Sequence, residues 1–250
     1  MKIIVSIKRV VDHNVQLRPR SDNSGVELGG ARMGINPFDE NALEEAVRLK
    51  ERGVASEIIA VSFGDSGVQE SLRQALALGA TRAVWGQIPA GLDQLTIAKL
   101  LRHVVQREQA SLVLLGKQAI DEDAGQTAQM LAALLDWPQA VAVSSLEVEG
   151  GRLKLQREVD AGTESLELQL PAVLSADLRL NAPRFVKLPD LMKAKRMPIE
   201  ALDCSALGLE LEPRTRITRV ETPAPRAAGK RVGSVSELIE KLRNEAQVIA

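Results

Sequence analysis

Three consecutive acids, Asp121-Glu122-Asp123, follow an apolar run that ends in Gly116-Lys117 and precede the polar string Gln126-Thr127-Ala128-Gln129. Carboxylates at that density could bind a metal, act as general acid and base, or cap a helix. Metal-assisted phosphoryl transfer would require a phosphate cradle. The segment "LLGKQAID" has a Gly-Lys pair but neither the upstream glycine nor the following Ser/Thr hydroxyl. Two histidines, His13 and His103, are too few for a histidine-rich metal centre. A single cysteine, Cys204, excludes an internal disulfide and a thiolate-rich zinc site. The pattern therefore assigns no catalytic and no metal-ligating residue. Asp123 with Gln126 three residues on reads instead as a helix start, side-chain oxygen to backbone N–H. Free N–H groups around Gly125, Gln126 and Thr127 could then hold a phosphate, the alternative being a plain helix cap that complements the dipole. His13, at the carboxyl end of the first apolar run, reads equally well as pocket lining or as open surface. His103 falls on the polar side of a helix. Cys204 lies in an extended tail with no histidine near it in sequence, which makes it an unreactive thiol, and "KAKR" (Lys193 to Arg196) reads as a solvated charge run.

Any such site must be positioned by alternating strands and helices. "KIIVSI" is a continuous apolar run, the mark of a strand buried on both faces. A polar, Gly-rich excursion to Gly34 suggests a surface hairpin. "NPFDENALEEAVRLKERG" is a punctuated helix: Asn36 caps it, Pro37 takes the first helical position and Gly53 stops it. Strand-like "EIIAVSF", "RAVWG" and "SLVLLG" then alternate with helical "SGVQESLRQALALGA", "LDQLTIAKLLRHVVQREQ" and "DAGQTAQMLAALLD". Short links between such elements build right-handed crossovers and a doubly wound, mostly parallel α/β sheet. In such sheets ligands bind beyond the carboxyl ends of the strands. After Pro138 the pattern becomes three alternating runs joined at Gly150-Gly151 and Asp160-Ala161-Gly162, an antiparallel meander. "PAVLSADL" reads as a further buried strand. From Arg179 onward prolines interrupt the chain, and only Val235 to Asn244 is periodic enough for a helix. The expected organisation is one α/β domain over residues 1–178, which includes the meander, and an extended arm over 179–250 that leans on a partner subunit. The resemblance given below makes the first a nucleotide-binding domain and places a recognition loop in the second.

Of the 250 residues, 32 are Lys or Arg and 33 are Asp or Glu, so no broad attraction to DNA or anionic membranes is expected. Three Phe, two Trp and no Tyr offer few platforms for stacking single-stranded bases. No apolar run reaches the length of a membrane span.

The segments "IKRVVD", "NPFDENALEEAVRLKE", "ALALGATRAV", "LVLLGKQAIDEDAGQTAQMLAALLDWPQ", "REVDAG" and "LPAVLSADLRLNAPRFVKLPDLMKAKRMPIE" occur in this order. Together they resemble the beta subunit of electron transfer flavoprotein over nearly the whole chain. The resemblance implies a Rossmann-like, adenine-nucleotide-binding fold and a heterodimer whose alpha subunit holds most of an FAD. It further implies a structural AMP in this chain. The role implied is that of an electron carrier without catalytic turnover. It would take electrons from acyl-CoA and related flavin dehydrogenases and deliver them to a membrane quinone oxidoreductase. A bacterial cytoplasm is the first location it implies, and a mitochondrial matrix the second.

Carried over residue by residue, the resemblance places AMP against Ser6, Asn36, Pro37, Phe38, Asp39 and Phe63. It adds Asp121, Glu122, Asp123, Ala124, Gly125, Gln126, Thr127, Ala128, Gln129, Met130, Leu131 and Ala132. Ser6 stands where relatives often carry alanine, and Phe63 where they carry a small residue. His13 takes a place often held by tyrosine, near the FAD, and Leu188 matches the leucine that anchors partner dehydrogenases. Two alternatives remain. One is a bifurcating-type subunit with a second FAD in place of AMP, although "DEDAGQTAQM" resembles the AMP type. The other is a non-redox adenine-nucleotide module; a hydrolase or ligase of that sort would need a "SGGxDS"-like loop, which is absent.

Overall fold

A computed structural model describes residues 1–88, 91–226 and 228–249. In chain order the elements begin β1 (Lys2–Ser6), β2 (Arg9–Val11), β3 (Met33–Ile35), α1 (Pro37–Glu51), β4 (Glu57–Gly64), α2 (Val68–Leu78), β5 (Arg82–Gln87), α3 (Gln94–Glu108), β6 (Leu112–Gly116) and α4 (Thr127–Leu135). They continue with β7 (Gln139–Glu149), β8 (Arg152–Val159), β9 (Gly162–Gln169), β10 (Ala172–Ala176), α5 (Leu188–Ala194), β11 (Glu200–Asp203), a 3-10 turn at Ser205–Leu207, and α6 (Val235–Asn244). Two compact units are distinct. Met1–Leu17 with Leu28–Ile217 forms one, and Arg18–Glu27 with Thr218–Ala250 forms the other.

In the first unit, nine strands form one sheet in the order β11-β5-β4-β1-β6-β10-β7-β8-β9. β8 pairs antiparallel with both β7 and β9, and every other pairing in this sheet is parallel. The doubly wound sheet with an antiparallel meander thus matches the expectation. The winding reverses between β1 and β6, because β4 lies on one side of β1 and β6 on the other. The central strands are apolar throughout because both faces are covered. Ile3, Val5, Ile58, Ala60 and Leu114 pack with Leu43 and Ala46 of α1 and with Leu72 of α2. Ile4, Ile59, Val61 and Val113 face Leu101 and Val104 of α3 and Leu131 of α4. No helix among the described residues is long and apolar enough to cross a membrane.

The segment after Arg179 departs from an extended arm in two places. Leu188–Ala194 is helical, and Glu200–Asp203 adds a parallel strand beside β5. Neither has enough length for a periodic signal. Each is held by groups far away in the chain, as described below. Leu207, Leu209 and Leu211 then pack against buried Ile88, Leu100 and Cys204. Burial, with Asp203 adding to it, pushes the Cys204 thiol up to about 11, in keeping with an unreactive cysteine. In the second unit, α6 spans the predicted residues, and Ser234 caps it by accepting the Glu237 N–H at 3.2 Å.

Candidate functional site

The carboxyl ends of β1 and β6, flanking the reversal, are tied to the start of α1 by one carboxylate. Asp39 accepts the Lys8 N–H at 2.7 Å and the Gly116 N–H at 2.9 Å, and is 6% exposed. Burial pushes its carboxyl up to about 7, against the two N–H donors, Asn36 and the Lys8 ammonium, which all pull it down. Gly116 has no side chain because α1 passes over it. A Cβ there would lie 2.5 Å from Asp39 Oδ1, 2.6 Å from Phe38 Cβ and 2.9 Å from the Phe38 carbonyl carbon.

Asn36 sits at the N-cap position of α1, with Pro37 following, but its side chain does not cap the helix. Its Nδ2 donates to the Gln118 carbonyl at 2.8 Å and its Oδ1 accepts the Ile120 N–H at 3.2 Å. The expectation of a cap is corrected for this reason: two backbone groups of the 117–121 loop, at half-buried Gln118 and Ile120, claim the amide, which is itself 1% exposed. Asp123 is a second correction. It takes a φ of +50° and accepts from Gln118 Nε2 at 2.9 Å, and α4 begins only at Thr127, with no side-chain cap at Gln126. The other two acids are held by Lys8, whose Nζ lies 2.9 Å from Asp121 and 3.3 Å from Glu122. Glu122 also accepts from Gln94 at the start of α3. The acid cluster is thus a set of side chains fixing a loop. Lys117, which mimicked a phosphate-binding lysine, pairs with Asp177 at 2.9 Å and lies 5.5 Å from the Phe38 ring centre. Burial alone would raise the Asp177 carboxyl, but Lys117 and the Arg179 N–H hold it below its ordinary value.

That fixed loop delivers the chain to α4 with donors to spare. The backbone N–H groups of Gly125, Gln126, Thr127, Ala128 and Gln129 meet no acceptor among the described residues, as the first turn of a helix requires. Gly125 has a φ of +59° and only the Lys117 carbonyl oxygen, at 3.5 Å, near the place of a Cβ. Ala128, Leu131 and Ala132 point into the core, and Met130 packs against it. Ser6 ends β1, half-buried. Phe63 lies within β4 and packs over Gly86, where a Cβ would meet its ring at 2.1 Å.

His13 lies beyond β2. Its ring is 68% exposed, 3.8 Å from Asp12, and borders a cavity of about 210 Å³ with Val10, Ile35, Pro37, Glu40 and Ile120. His13 is thus exposed, at the rim of this cavity. Burial raises the Glu40 carboxyl, and His13 opposes the shift.

Leu188 is placed elsewhere, as the first residue of α5, and is 72% exposed; Phe185 before it is 94% exposed. The chain leading to it is lashed to α1. Asn41 Nδ2 donates to the Asn181 carbonyl at 2.7 Å, Asn181 Nδ2 donates back to the Asn41 carbonyl at 3.0 Å, and Arg184 bridges Glu44 and Glu51.

Lys8, Gln118, Ile120 and Gly116 were not singled out from the sequence. A signal did exist for Asp39: an acid one helical turn before Leu43 and Ala42, on a face otherwise apolar.

The family described as "Electron transfer flavoprotein domain" matches residues 26–207. "Electron transfer flavoprotein subunit beta" of Bradyrhizobium diazoefficiens is 48% identical over 249 residues, covering 100% of both chains. The Sus scrofa protein of the same name is 45% identical over 252 residues, covering 99% of each. The Arabidopsis thaliana "Electron transfer flavoprotein subunit beta, mitochondrial" is 47% identical over 251 residues, covering 100% of each. Family and full-length relatives agree, and the chain belongs to the electron transfer flavoprotein family, on its beta-subunit side.

Proposed function

We propose that this chain is the beta half of a heterodimeric electron carrier, that it holds one AMP as a structural ligand, and that it borders an FAD held mainly by an alpha subunit. The observation that carries the AMP reading is the run of five acceptor-free N–H groups from Gly125 to Gln129 at the start of α4. A helix start with several convergent N–H groups fits a single phosphate. The loop that aims it is immobilised by Asn36, Lys8 and Asp39. The three acids beside it are engaged by Lys8 and Gln118 in holding the loop, which supports a binding rather than a catalytic role for them. Asn36 to Asp39, Ser6, Phe63 and Asp121 to Ala132 are the residues assigned to this pocket.

The cavity beside His13, at about 210 Å³, is smaller than a typical cofactor pocket of roughly 300 Å³ or more. That size fits the edge of an FAD whose body rests on another chain. FAD, when bound, supplies the one- and two-electron chemistry; this chain supplies position and local charge. Acyl-CoA and related flavin dehydrogenases would donate through the Leu188 surface, and a membrane quinone oxidoreductase would accept. His13, on the rim of that cavity beside Asp12, would tune the FAD potential through its polar ring. His13→Phe should shift that potential, and an unchanged potential removes the role.

The deciding measurement is mass identification of the nucleotides released on denaturing the co-expressed heterodimer. One FAD and one AMP per heterodimer are expected. Two FAD and no AMP would indicate the bifurcating type, and no flavin with ATP turnover a non-redox module.

A further inference from the structure

We infer that Arg73 is a positioning residue for partner docking: from α2 it holds the carboxyl end of α5 and so keeps Leu188 in the shape a partner receives. The inference rests on the proposed role of Leu188.

α5 has seven residues, and isolated helices shorter than about 12 to 15 are marginal in water. Its start has no side-chain cap: Lys187 at the N-cap position makes no capping hydrogen bond. Its exposed face gains nothing from burial, since Leu188 is 72% and Met192 49% exposed. What holds it is at the other end. Arg73 Nη1 donates to the Ala194 carbonyl at 2.7 Å and to the Met197 carbonyl at 2.6 Å. Ala194, 1% exposed, is the one residue of the helix that enters the core. The guanidinium ties the last carbonyl of α5, which also accepts the Met197 N–H at 3.1 Å, to the carbonyl of Met197 just beyond the helix, and it complements the negative end of the helix dipole. Arg184, bound to Glu44 and Glu51, fixes the chain's entry to α5, and Arg73 fixes its exit.

Such a clamp suits a surface that must be recognised quickly and released. A preformed anchor spares the ordering entropy that a frayed segment would lose on binding. Without Arg73, the Met197 carbonyl loses its donor, the Ala194 carbonyl keeps only the Met197 N–H, the exit of the short helix frays, and Leu188 is presented by an ensemble.

The test uses the intact heterodimer as acceptor for an acyl-CoA dehydrogenase reduced with its acyl-CoA. Arg73→Met should raise the KM for the carrier about tenfold, with kcat, FAD and released nucleotide unchanged. Amide exchange of residues 190–197 should quicken while that of β1 and β6 stays the same. Arg73→Lys, which keeps the cation, should recover most of the loss. In a Leu188→Ala background, Arg73→Met should add less than about twofold, because the anchor it positions is gone. A full additional loss in that background would mark a generic structural effect and overturn the inference. A slowed Leu188→Ala variant beside an unchanged Arg73→Met variant overturns the positioning role alone. An unchanged Leu188→Ala variant overturns the docking reading, and the inference with it.

Discussion

Gly116→Ala is expected to destabilise the protein by about 3 kcal/mol and to release the nucleotide proposed to bind at the start of α4. A methyl group there would meet Phe38 Cβ at 2.6 Å and the Phe38 carbonyl carbon at 2.9 Å. The second contact is with backbone, so no rotamer change relieves it, and β6 and the start of α1 must separate. That separation would stretch the bonds from Asp39 to Lys8 and Gly116, which align the two strand ends. A useful contrast is Gly53, whose φ is +77° and which has no atom within 4 Å of a Cβ position. Gly53→Ala should cost only the left-handed backbone strain, about 1 to 2 kcal/mol, and leave the nucleotide in place. Urea midpoints with nucleotide content measure both. Equal losses in the two variants, or a nucleotide retained in Gly116→Ala, would count against the role given to this contact.

The second large effect concerns Asp39, whose carboxyl stands at about 7 in the folded chain against 3.8 for an ordinary aspartate. Below pH 3.8 both folded and unfolded forms keep the proton. As the pH rises past that value the unfolded chain releases it while the folded one retains it, so stability falls until about pH 7 and then levels. The gap corresponds to about 4 kcal/mol as an upper figure, at roughly 1.4 kcal/mol per pH unit. Asp39→Asn removes this titration. It also turns an amide N–H toward one of the two backbone donors, a mismatch worth about 1 to 3 kcal/mol. The variant should therefore be clearly weaker than the parent at pH 4 and approach or overtake it by pH 7. Parallel stability curves across that window would show that the carboxyl does not titrate there.

Much of the architecture was legible because its causes are local. Apolar runs give buried strands, Pro37 and Gly53 delimit α1, and Gly150-Gly151 turns the meander. The site was legible as a region, since the strand ends and helix starts of a wound sheet converge there. Its wiring was not. Asn36 would be a cap on local grounds, yet its partners are Gln118 and Ile120. Asp123 looked like the start of a helix, yet it binds Gln118 in a left-handed turn. α5 and β11 have seven and four residues, too few for periodicity. The first depends on Arg73 and the second on the edge of β5. Bonds between residues a hundred positions apart leave no mark in a local pattern.

β11 also settles what happens at the rim of the sheet. An uncovered rim strand is a template on which other chains can assemble. Here β5, with Ala83 and Val84 buried, is shielded by a four-residue strand carrying Glu200 and Asp203, the former paired with Arg82 and Arg107. At the opposite rim, β9 presents Glu164 and Glu167, each paired with an arginine of β8. Both margins thus carry charge where a stray strand would try to add. A chain with both margins charged in this way is protected against self-templated aggregation.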